Sequence, residues 1–251
     1  SWKEFESGLL KMIYTYTSGK YHGPVLYYLP EGYFHKAKWF NYGVLYGYAE
    51  YDKKGDVTFH RDFQNGDGTY LTHHANGKQD FTVPIKHGKF NGKATSKYYD
   101  GTLEETLSYT EGDVVGKFVQ YFYNGELNNE SIYDEIGKTI KVTDYMANGL
   151  LNKVVQYTDT VGTYREDFYC ADELMITSLY KEDSEHGQRI YYGQNKEIAA
   201  VINLYLGKIL SYSYLGKDNK LVEPILLKGG NGEVKTTYKS GAKALTFNMV
   251  K

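Results

Sequence analysis

Several residue types are scarce in this sequence, and each shortage narrows the class of protein. Cysteine occurs once, as Cys170, so no disulfide can form within the chain. Four prolines in 251 residues is a low number, which suits a chain whose backbone N–H groups mostly donate to β-ladders. No apolar run approaches the ~18 residues of a membrane-spanning helix. We therefore expect neither a disulfide scaffold nor a helical membrane protein.

Excess charge of either sign is also lacking. The formal net charge is −2 at pH 7, so the sequence offers no surplus of Lys and Arg to neutralise a phosphate backbone. The same balance provides no basic cluster for an anionic membrane surface. Nucleic acid is therefore not expected as a partner, and association with a membrane surface is disfavoured.

Motifs that carry chemistry are missing as well. The sequence contains no GxSxG nucleophile elbow and no HExxH zinc motif. The glycine-rich stretch 229–232 is not followed by the Lys-Ser/Thr of a P-loop, and it reads instead as a break in regularity. The carboxylate pairs Glu104-Glu105 and Glu182-Asp183 fall at expected turns or strand ends, where charge keeps loops solvated. We predict a protein that is not an enzyme, without catalytic residues or a cofactor.

Histidine is the one residue type that raises the question of a metal. A hairpin centred on residues 65–67 would place His60 opposite His73, with His74 adjacent, and imidazoles at such a distance can ligate a transition metal. However, His73 and His74 point to opposite faces of a strand, and no carboxylate completes the set. We therefore predict no metal site and interpret His74 as a replacement for a repeated aromatic residue.

Tyrosine, by contrast, is abundant. The 28 tyrosines stand beside 11 phenylalanines and only two tryptophans. A tyrosine ring covers apolar area while its hydroxyl stays in contact with water. This composition favours thin β-structure with little interior. The scarcity of tryptophan counts against the Trp-rich cages typical of many glycan-binding repeats.

The stretch from Tyr109 to Leu127 displays the unit from which the chain is built. Two turns, at Glu111-Gly112 and Asn124-Gly125, enclose the segment Lys117 to Tyr123, which is rich in aromatic and β-branched residues. Glycine allows a positive φ in a tight turn, and Asn-Gly is a strong hairpin signal. Aromatic and β-branched residues fit a pleated sheet. The pattern predicts a β-hairpin.

This hairpin recurs along the whole chain. One series of turn glycines repeats every 22 to 24 residues: Gly8, Gly32, Gly55, Gly77, Gly101, Gly125 and Gly149. The same step continues to Asp172, Asn195, Asn219 and Gly241, and Asp and Asn tolerate positive φ better than other non-glycine residues. A second series runs through Gly19, Gly43, Gly66, Gly88, Gly112, Gly137 and Gly162. A fixed period of this length predicts an all-β, single-layer array of about ten tandem hairpins.

The two ends of the array need separate interpretation. Residues 1–13 carry apolar side chains at helical spacing, but the match of Gly8 to the series favours strand, turn and strand instead. Because this segment reads as the second half of a unit, we expect further chain upstream of Ser1. The pattern is degenerate from about residue 205 to 251, as is common in the capping repeats of arrays.

Tyrosines precede many of the turns and are the remaining functional candidates. Two interpretations stay open: the rings stack on one another to hold the sheet, or part of them forms a binding face, for which tyrosine offers large contact area with few torsions. The candidate binding-face tyrosines are Tyr28, Tyr51, Tyr99, Tyr123, Tyr145, Tyr169 and Tyr192.

The repeated pattern resembles the MORN repeat, in particular the bacterial MORN-variant type. In one unit the matching residues are Tyr109, Gly112, Gly116, Phe122-Tyr123, Asn124-Gly125 and Leu127, and in an earlier unit they are Tyr16, Gly19, Gly23, Tyr27-Tyr28 and Gly32. The resemblance covers most of residues 5–200. It implies an elongated, twisted antiparallel sheet, while the repeat array itself predicts one domain over residues 1–251. Relatives of this type are often labelled antitoxin-like or cell-envelope proteins.

The resemblance implies a scaffold whose work is contact rather than catalysis. We expect a protein partner bound through an extended aromatic sheet face. The alternative is a glycan or cell-envelope binding module that uses exposed tyrosines. Unpaired edge strands also allow a homodimer. The compartment stays open, with a secreted or cell-envelope location favoured over the cytoplasm.

Overall fold

A computed structural model describes residues 1–228, 231–237, 240 and 242–249. The described chain is almost entirely β, which confirms the predicted all-β class. Its only helical element is the 3-10 turn Gln194–Lys196. Residues 1–13, with their helical spacing of apolar side chains, form two strands joined at a turn in which Gly8 has a φ of +81°.

The strands follow one another closely along the chain. They are β1 (Trp2–Glu6), β2 (Leu9–Tyr14), β3 (Tyr16–Thr17), β4 (Lys20–Tyr21), β5 (Gly23–Tyr28), β6 (Phe34–Asn41), β7 (Val44–Tyr51), β8 (Val57–Asp62), β9 (Gly68–His73), β10 (Gln79–Lys86), β11 (Lys89–Phe90), β12 (Gly92–Lys97), β13 (Leu103–Thr110), β14 (Asp113–Tyr121), β15 (Leu127–Tyr133), β16 (Thr139–Tyr145), β17 (Leu151–Tyr157), β18 (Thr163–Cys170), β19 (Glu173–Lys181), β20 (Ser184–Tyr192), β21 (Ile198–Tyr205), β22 (Lys208–Tyr214), β23 (Ile225–Leu226), β24 (Gly232–Thr237) and β25 (Lys243–Met249).

The strands pair in chain order with few exceptions. A six-stranded sheet has the order β1-β2-β5-β6-β7-β8. A 15-stranded sheet begins β11-β10-β12, with β9 also paired to β10, and then continues strand by strand to β23. The pairs β3-β4 and β24-β25 form separate two-stranded ribbons. This sequential antiparallel pairing is what tandem hairpins produce.

The first glycine series lies in turns. The φ angles of Gly8, Gly32, Gly55, Gly77, Gly101, Gly125 and Gly149 lie between +79° and +93°. The predicted replacements Asp172, Asn195 and Asn219 also have positive φ, at 63°, 62° and 58°. Gly241 lies outside the described residues, as do Gly229 and Gly230 of the expected break in regularity.

Turns of the second series are joined to one another by backbone hydrogen bonds. The Gly43 N–H donates to the Tyr21 carbonyl, and the Gly88 N–H donates to the Gly66 carbonyl, both at 2.8 Å. The Gly112 N–H donates to the Phe90 carbonyl at 2.9 Å. These bonds satisfy donors that a turn would otherwise leave without a partner inside the protein.

The chain divides into two compact units. Unit 1 comprises residues 1–118 and 135–137, and unit 2 comprises residues 119–134 and 138–251. Unit 1 contains a hydrophobic core that the repeat pattern did not indicate. Its buried members are Leu45, Tyr48, Phe63, Tyr70, Val83, Ile85, Ala94 and Leu107. Seven of them come from β7 of the six-stranded sheet and from β9, β10, β12 and β13 of the long sheet, and Phe63 directly follows β8, so two sheets pack together there.

Unit 2 has a much thinner interior. Most residues buried along its central strands are small or polar: Ser131, Thr143, Val155, Asp167, Thr177, Ser178 and Val201. The buried carboxylate of Asp167 accepts hydrogen bonds from Thr177 Oγ1 at 2.6 Å and Arg165 Nε at 2.9 Å. A small cluster of Tyr212, Leu227 and Val234 lies beyond, in the part of the chain with a degenerate pattern.

Candidate functional site

The candidate binding-face tyrosines of unit 1 lie in two kinds of position. Tyr28 and Tyr51 are the last residues of β5 and β7, and both are half-buried. The ring of Phe34 lies between them, 6.0 Å from Tyr28 and 4.4 Å from Tyr51. Tyr99 instead lies in the turn after β12, is 58% exposed, and has its ring 5.5 Å from that of His74. Tyr28 and Tyr51 therefore contact the same ring, whereas Tyr99 lies elsewhere in the repeat.

The candidate tyrosines of unit 2 are divided in the same way. Tyr145 and Tyr192 end β16 and β20, and Tyr169 is next to the end of β18. All three are half-buried, whereas Tyr123 lies in a turn and is 61% exposed. The Tyr145 hydroxyl donates to Glu130 at 3.3 Å. Tyr145 lies four residues before its turn glycine and Tyr123 only two, so the sequence pattern merged different positions of the repeat.

A different set of tyrosines in unit 2 does form a ladder. Tyr157 in β17 is the cross-strand partner of Tyr164 in β18, which is in turn the partner of Tyr180 in β19. The ring centroids are 5.6 Å apart between Tyr157 and Tyr164 and 4.7 Å apart between Tyr164 and Tyr180. The planes of Tyr164 and Tyr180 differ by only 6°, so these two rings are stacked. We call these three residues the tyrosine ladder.

The surroundings of the tyrosine ladder are acidic. Burial raises the pKa of Tyr180 to about 12, and the negative charges of Glu166 and Glu185 contribute. Burial also raises the pKa of Tyr164, with Asp183 and Glu166 acting in the same direction. Both hydroxyls therefore stay neutral at physiological pH and serve as donors to carboxylates.

The pairing of the ladder tyrosines could have been predicted from the positions of the turns, but the repeat period did not reveal it. Tyr164 and Tyr180 lie eight residues to either side of Asp172, the turn residue between β18 and β19. Tyr157 and Tyr164 likewise pair across the preceding turn, which spans residues 158–162. Pairing residues by their distance from each turn, rather than by position in the period, would have found the register.

Unit 1 contains a second feature of interest, a cleft of about 750 Å3. It lies between strands β6, β7 and β8 of the six-stranded sheet and the β9-β10 hairpin. Its walls combine aromatic rings with charged side chains of both signs. The lining residues include Tyr33, Lys36, Glu50, Tyr51, Asp52, Lys53, Phe59, His73, His74 and Asp80.

Glu50 and His73 are paired in this cleft. Glu50 is only 8% exposed. Its Oε2 accepts a hydrogen bond from His73 Nδ1 at 3.0 Å, and its Oε1 accepts the His73 backbone N–H at 3.2 Å. Because a carboxylate only accepts hydrogen bonds, Nδ1 carries the proton. The buried carboxylate of Glu50 is thus hydrogen-bonded by a residue of the neighbouring hairpin.

Two lysines of unit 1 are affected by burial. Burial lowers the pKa of Lys36, although the nearby Glu50 and Asp80 act against this shift. Burial, together with the charge of Lys36, lowers the pKa of Lys38 to about 8. The Lys38 ammonium lies 4.7 Å from the ring centroid of Tyr70 and 5.5 Å from that of Tyr27.

The three histidines considered for a metal do not converge. The strands β8 and β9 belong to different sheets, so the expected hairpin that would set His60 opposite His73 is wrong. His60 is exposed and lies 3.2 Å from Asp62, while Phe59 is the residue whose ring faces His73, at 4.6 Å. His74 Nε2 donates to the Lys97 carbonyl at 2.7 Å. Across the described residues, no group of three or more His, Cys, Asp or Glu side chains is placed to hold a metal ion.

No helix within the described part of the chain is long and apolar enough to span a membrane.

Comparison with known proteins leaves the family open. No family model and no curated protein matches the chain. A crystal structure of TcdB2-TccC3 aligns with 96% of this chain at 10% identity and a TM-score of 0.24. A crystal structure of TcdB2-TccC3-Cdc42 aligns with 96% at 11% identity and a TM-score of 0.22. This chain spans 16% of the length of either match. Such weak likeness carries no argument, and the MORN-variant resemblance stays a prediction.

Proposed function

We propose that this chain is a non-enzymatic scaffold of MORN-variant hairpins that binds a protein partner, and that the tyrosine ladder is the centre of its binding face. The observation that carries the proposal is the alignment of Tyr157, Tyr164 and Tyr180 across three adjacent strands of unit 2. Tyr157 is 37% exposed. The proposal therefore moves the binding face from the tyrosines expected from the sequence to a different set.

Tyrosine is well suited to such a face. It is enriched at the energetic centres of protein interfaces, where it supplies a large contact area and a polar tip. Stacking between neighbouring rings limits the torsions that remain free in the unbound protein, so less entropy is lost on binding. The sheet beneath is held by backbone hydrogen bonds and needs little adjustment to receive a flat partner.

The charge around the tyrosine ladder indicates the character of the partner. Glu166 lies on the same strand as Tyr164, and the exposed Asp159, Glu182 and Asp183 lie in the adjoining turns. The nearby Arg189 is already paired with Glu185. This acidic surface would repel nucleic acid and anionic lipid, and it would attract a protein with Lys or Arg around an apolar centre.

The geometry gives less support to the glycan alternative. Sugars stack on open faces of aromatic rings, but Tyr164 and Tyr180 lie parallel with centroids 4.7 Å apart and so cover one face of each other. What they present together is a block of ring edges and hydroxyls. Such a block fits a protein surface better than a sugar ring.

The test compares a ladder variant with a matched control. The double variant Tyr157→Ser/Tyr164→Ser removes two rings of the ladder, and Tyr99→Ser removes an exposed tyrosine of unit 1. Affinity capture with the three proteins identifies candidates, and each candidate is then purified and titrated by calorimetry. We expect a basic partner whose affinity falls at least about tenfold in the double variant, since a hot-spot residue contributes more than about 1 kcal/mol, and is unchanged in Tyr99→Ser.

Two results would contradict this proposal. Equal affinity of the purified partner for the wild type and the double variant would remove the tyrosine ladder from the interface. Saturable binding on a glycan array, lost in the double variant and with no protein bound, would assign the same surface to sugars. Thermal unfolding of all three proteins shows whether the sheet remains intact.

A further inference from the structure

A second concave surface of unit 1 differs from the cleft in its charge. It is an open groove of about 560 Å3 beside the β6-β7 hairpin. Two glycines and six larger residues line it: His22, Phe40, Asn41, Val44, Tyr46 and Asn65. None of these lining residues, all in the described part of the chain, is Asp, Glu, Lys or Arg. We call this surface the neutral groove.

Val44 connects the walls of the neutral groove. It is the cross-strand partner of Asn41. A Cβ added to Gly66 would lie 2.8 Å from Val44 Cγ1, so the turn that carries Asn65 packs against β7. The Gly88 N–H holds the same turn by donating to the Gly66 carbonyl at 2.8 Å. Asn41 and Asn65 are therefore both fixed close to Val44.

Tyr46 supplies an aromatic ring to the neutral groove. The pairing of β6 with β7 skips Tyr46, which is therefore the extra residue of a β-bulge opposite Phe40. A bulge of this kind re-aims a side chain relative to the sheet. Tyr46 is 42% exposed, and its ring makes no contact with another ring among the residues that the structure describes. Unlike the stacked rings of the tyrosine ladder, this ring is free to pack against a ligand.

The polar side chains of the neutral groove have unused capacity for hydrogen bonds. Within the described residues, the side-chain amides of Asn41 and Asn65 have no hydrogen-bond partner, and each amide offers both donors and an acceptor. The Tyr42 backbone N–H donates to His22 Nδ1 at 3.4 Å, so a neutral imidazole there carries its proton on Nε2 and donates from that atom. Hydroxyl groups match these side chains, because a hydroxyl both donates and accepts.

These features select among classes of ligand. A charged ligand would lose hydration without meeting an opposite charge. A purely apolar ligand would cover the amides of Asn41 and Asn65 and leave them without partners. A ring-shaped polyol avoids both costs, because its hydroxyls bond to the amides while the C–H groups of its ring pack on Tyr46. The volume of about 560 Å3 lies within the usual range for small-molecule sites.

We infer that the neutral groove binds an uncharged saccharide, with one sugar ring against Tyr46 and hydroxyls bonded to the amides of Asn41 and Asn65. The same chemistry occurs in a free sugar and in one unit of a glycan chain. This site shares no residue with the tyrosine ladder and does not depend on the proposed function.

The experiment uses probes that differ in charge, ring and length. Maltotriose, cellotriose, mannotriose and chitotriose are uncharged trisaccharides, trigalacturonate is a charged one, and glycerol is a polyol without a ring. Binding to the full chain is measured by calorimetry and by shifts of aromatic NMR signals. We expect at least one uncharged trisaccharide to bind at least about tenfold more tightly than trigalacturonate and glycerol. Equal affinity of its monosaccharide would identify a free sugar as the source, and tighter binding of the trisaccharide would identify a chain.

Variants locate the site. Tyr46→Ser should weaken binding of that saccharide at least about tenfold, whereas Tyr46→Phe keeps the ring and should stay within about threefold of the wild type. Asn41→Ala and Asn65→Gly each remove one amide, and each should weaken binding about two- to tenfold; glycine retains the positive φ of Asn65. The matched control Tyr99→Ser and the double variant of the tyrosine ladder should bind like the wild type.

Several outcomes would overturn the inference. Absence of binding by all four uncharged trisaccharides to a folded chain would refute the site itself. Equal binding of trigalacturonate or of glycerol would show that neutrality or the sugar ring is not recognised. Unchanged affinity in Tyr46→Ser and in both asparagine variants would place the saccharide elsewhere, and if Tyr46→Ser does not fold, the asparagine variants decide alone.

Discussion

The hydroxyl of Tyr48 accepts a hydrogen bond from the backbone N–H of Leu71 at 3.0 Å. Tyr48 is fully buried in β7, and Leu71 lies in β9 of the other sheet. The same arrangement recurs in unit 2, where the hydroxyl of Tyr212 in β22 accepts the N–H of Lys235 in β24 at 2.9 Å. In each case the partner is 23 residues further along the chain. A buried tyrosine thus bonds to the backbone of a following sheet where the regular pairing of strands is interrupted.

We predict that Tyr48→Phe destabilises the protein by about 1–3 kcal/mol, because the buried N–H of Leu71 would lose its acceptor. Chemical denaturation monitored by circular dichroism measures the loss. Tyr46→Phe is the matched control, since Tyr46 lies two residues away on the same strand and is 42% exposed; it should change stability by less than about 0.5 kcal/mol. Equal effects of the two substitutions would contradict the role given to the Tyr48 hydroxyl.

The contrast between Tyr46 and Tyr48 also shows what could be predicted from the sequence. Turn positions could be predicted from the sequence because a positive φ is a local requirement that Gly, Asn and Asp meet. For this reason Asp172 could be identified as a turn residue although it is not a glycine. Burial is not local. Which tyrosine enters the core depends on where the long sheet begins, and that is decided by the pairing of β9 with β10 rather than by the repeat.

The two candidate sites were missed for the same reason. The tyrosine ladder depends on cross-strand register: Tyr157 and Tyr164 are only seven residues apart and pair across a single turn, so a period of 22 to 24 residues could not align them. The cleft depends on the packing of the β9-β10 hairpin on another sheet. Only this packing brings Glu50 to His73, and it is also what makes the predicted placement of His60 wrong.

The pair formed by Glu50 and His73 gives a second prediction. Glu50→Gln should cost about 1.5–3 kcal/mol, because a hydrogen bond to a charged acceptor is lost in a buried place. Glu31→Gln, in an exposed turn, is the control and should be nearly neutral. In a double-mutant cycle with His73→Phe, the combined cost should be clearly less than the sum of the single costs. Additive costs would show that the two side chains act independently.

A third prediction separates backbone strain from packing at turn glycines. Gly88 has a φ of +77°, and a Cβ added there would lie 2.6 Å from Val44 Cγ1 and 2.9 Å from the Leu45 backbone nitrogen. Gly112 has a φ of +97°, but a Cβ there would meet nothing within 4 Å. We expect Gly112→Ala to cost about 1 kcal/mol and Gly88→Ala at least about 3 kcal/mol. Similar midpoints of urea unfolding for the two variants would contradict the close packing at Gly88.

The depressed pKa of Lys38 leads to a prediction about pH. Burial favours the neutral amine, so the folded chain releases this proton near pH 8, whereas the unfolded chain holds it to the ordinary value of 10.5. Below about pH 8 both states hold the proton, and the folded chain bears the full desolvation penalty. Between about pH 8 and 10.5 the unfolded state binds more protons than the folded state, so the free energy of unfolding increases as the pH rises. The total gain is on the order of 3 kcal/mol. Burial raises the pKa of Tyr27 and of Tyr70, so both phenols stay neutral over this range.

Lys38→Met removes the titrating amine and keeps most of its apolar length. Urea unfolding at about pH 7 and pH 9.5 should show a clear rise in stability for the wild type and a much smaller rise for Lys38→Met, which should also be the more stable protein at the lower pH. Lys3→Met is the control, because Lys3 is exposed in β1, and it should follow the wild type. Parallel pH profiles for the wild type and Lys38→Met would show that the Lys38 ammonium is as well solvated in the folded chain as in the unfolded one.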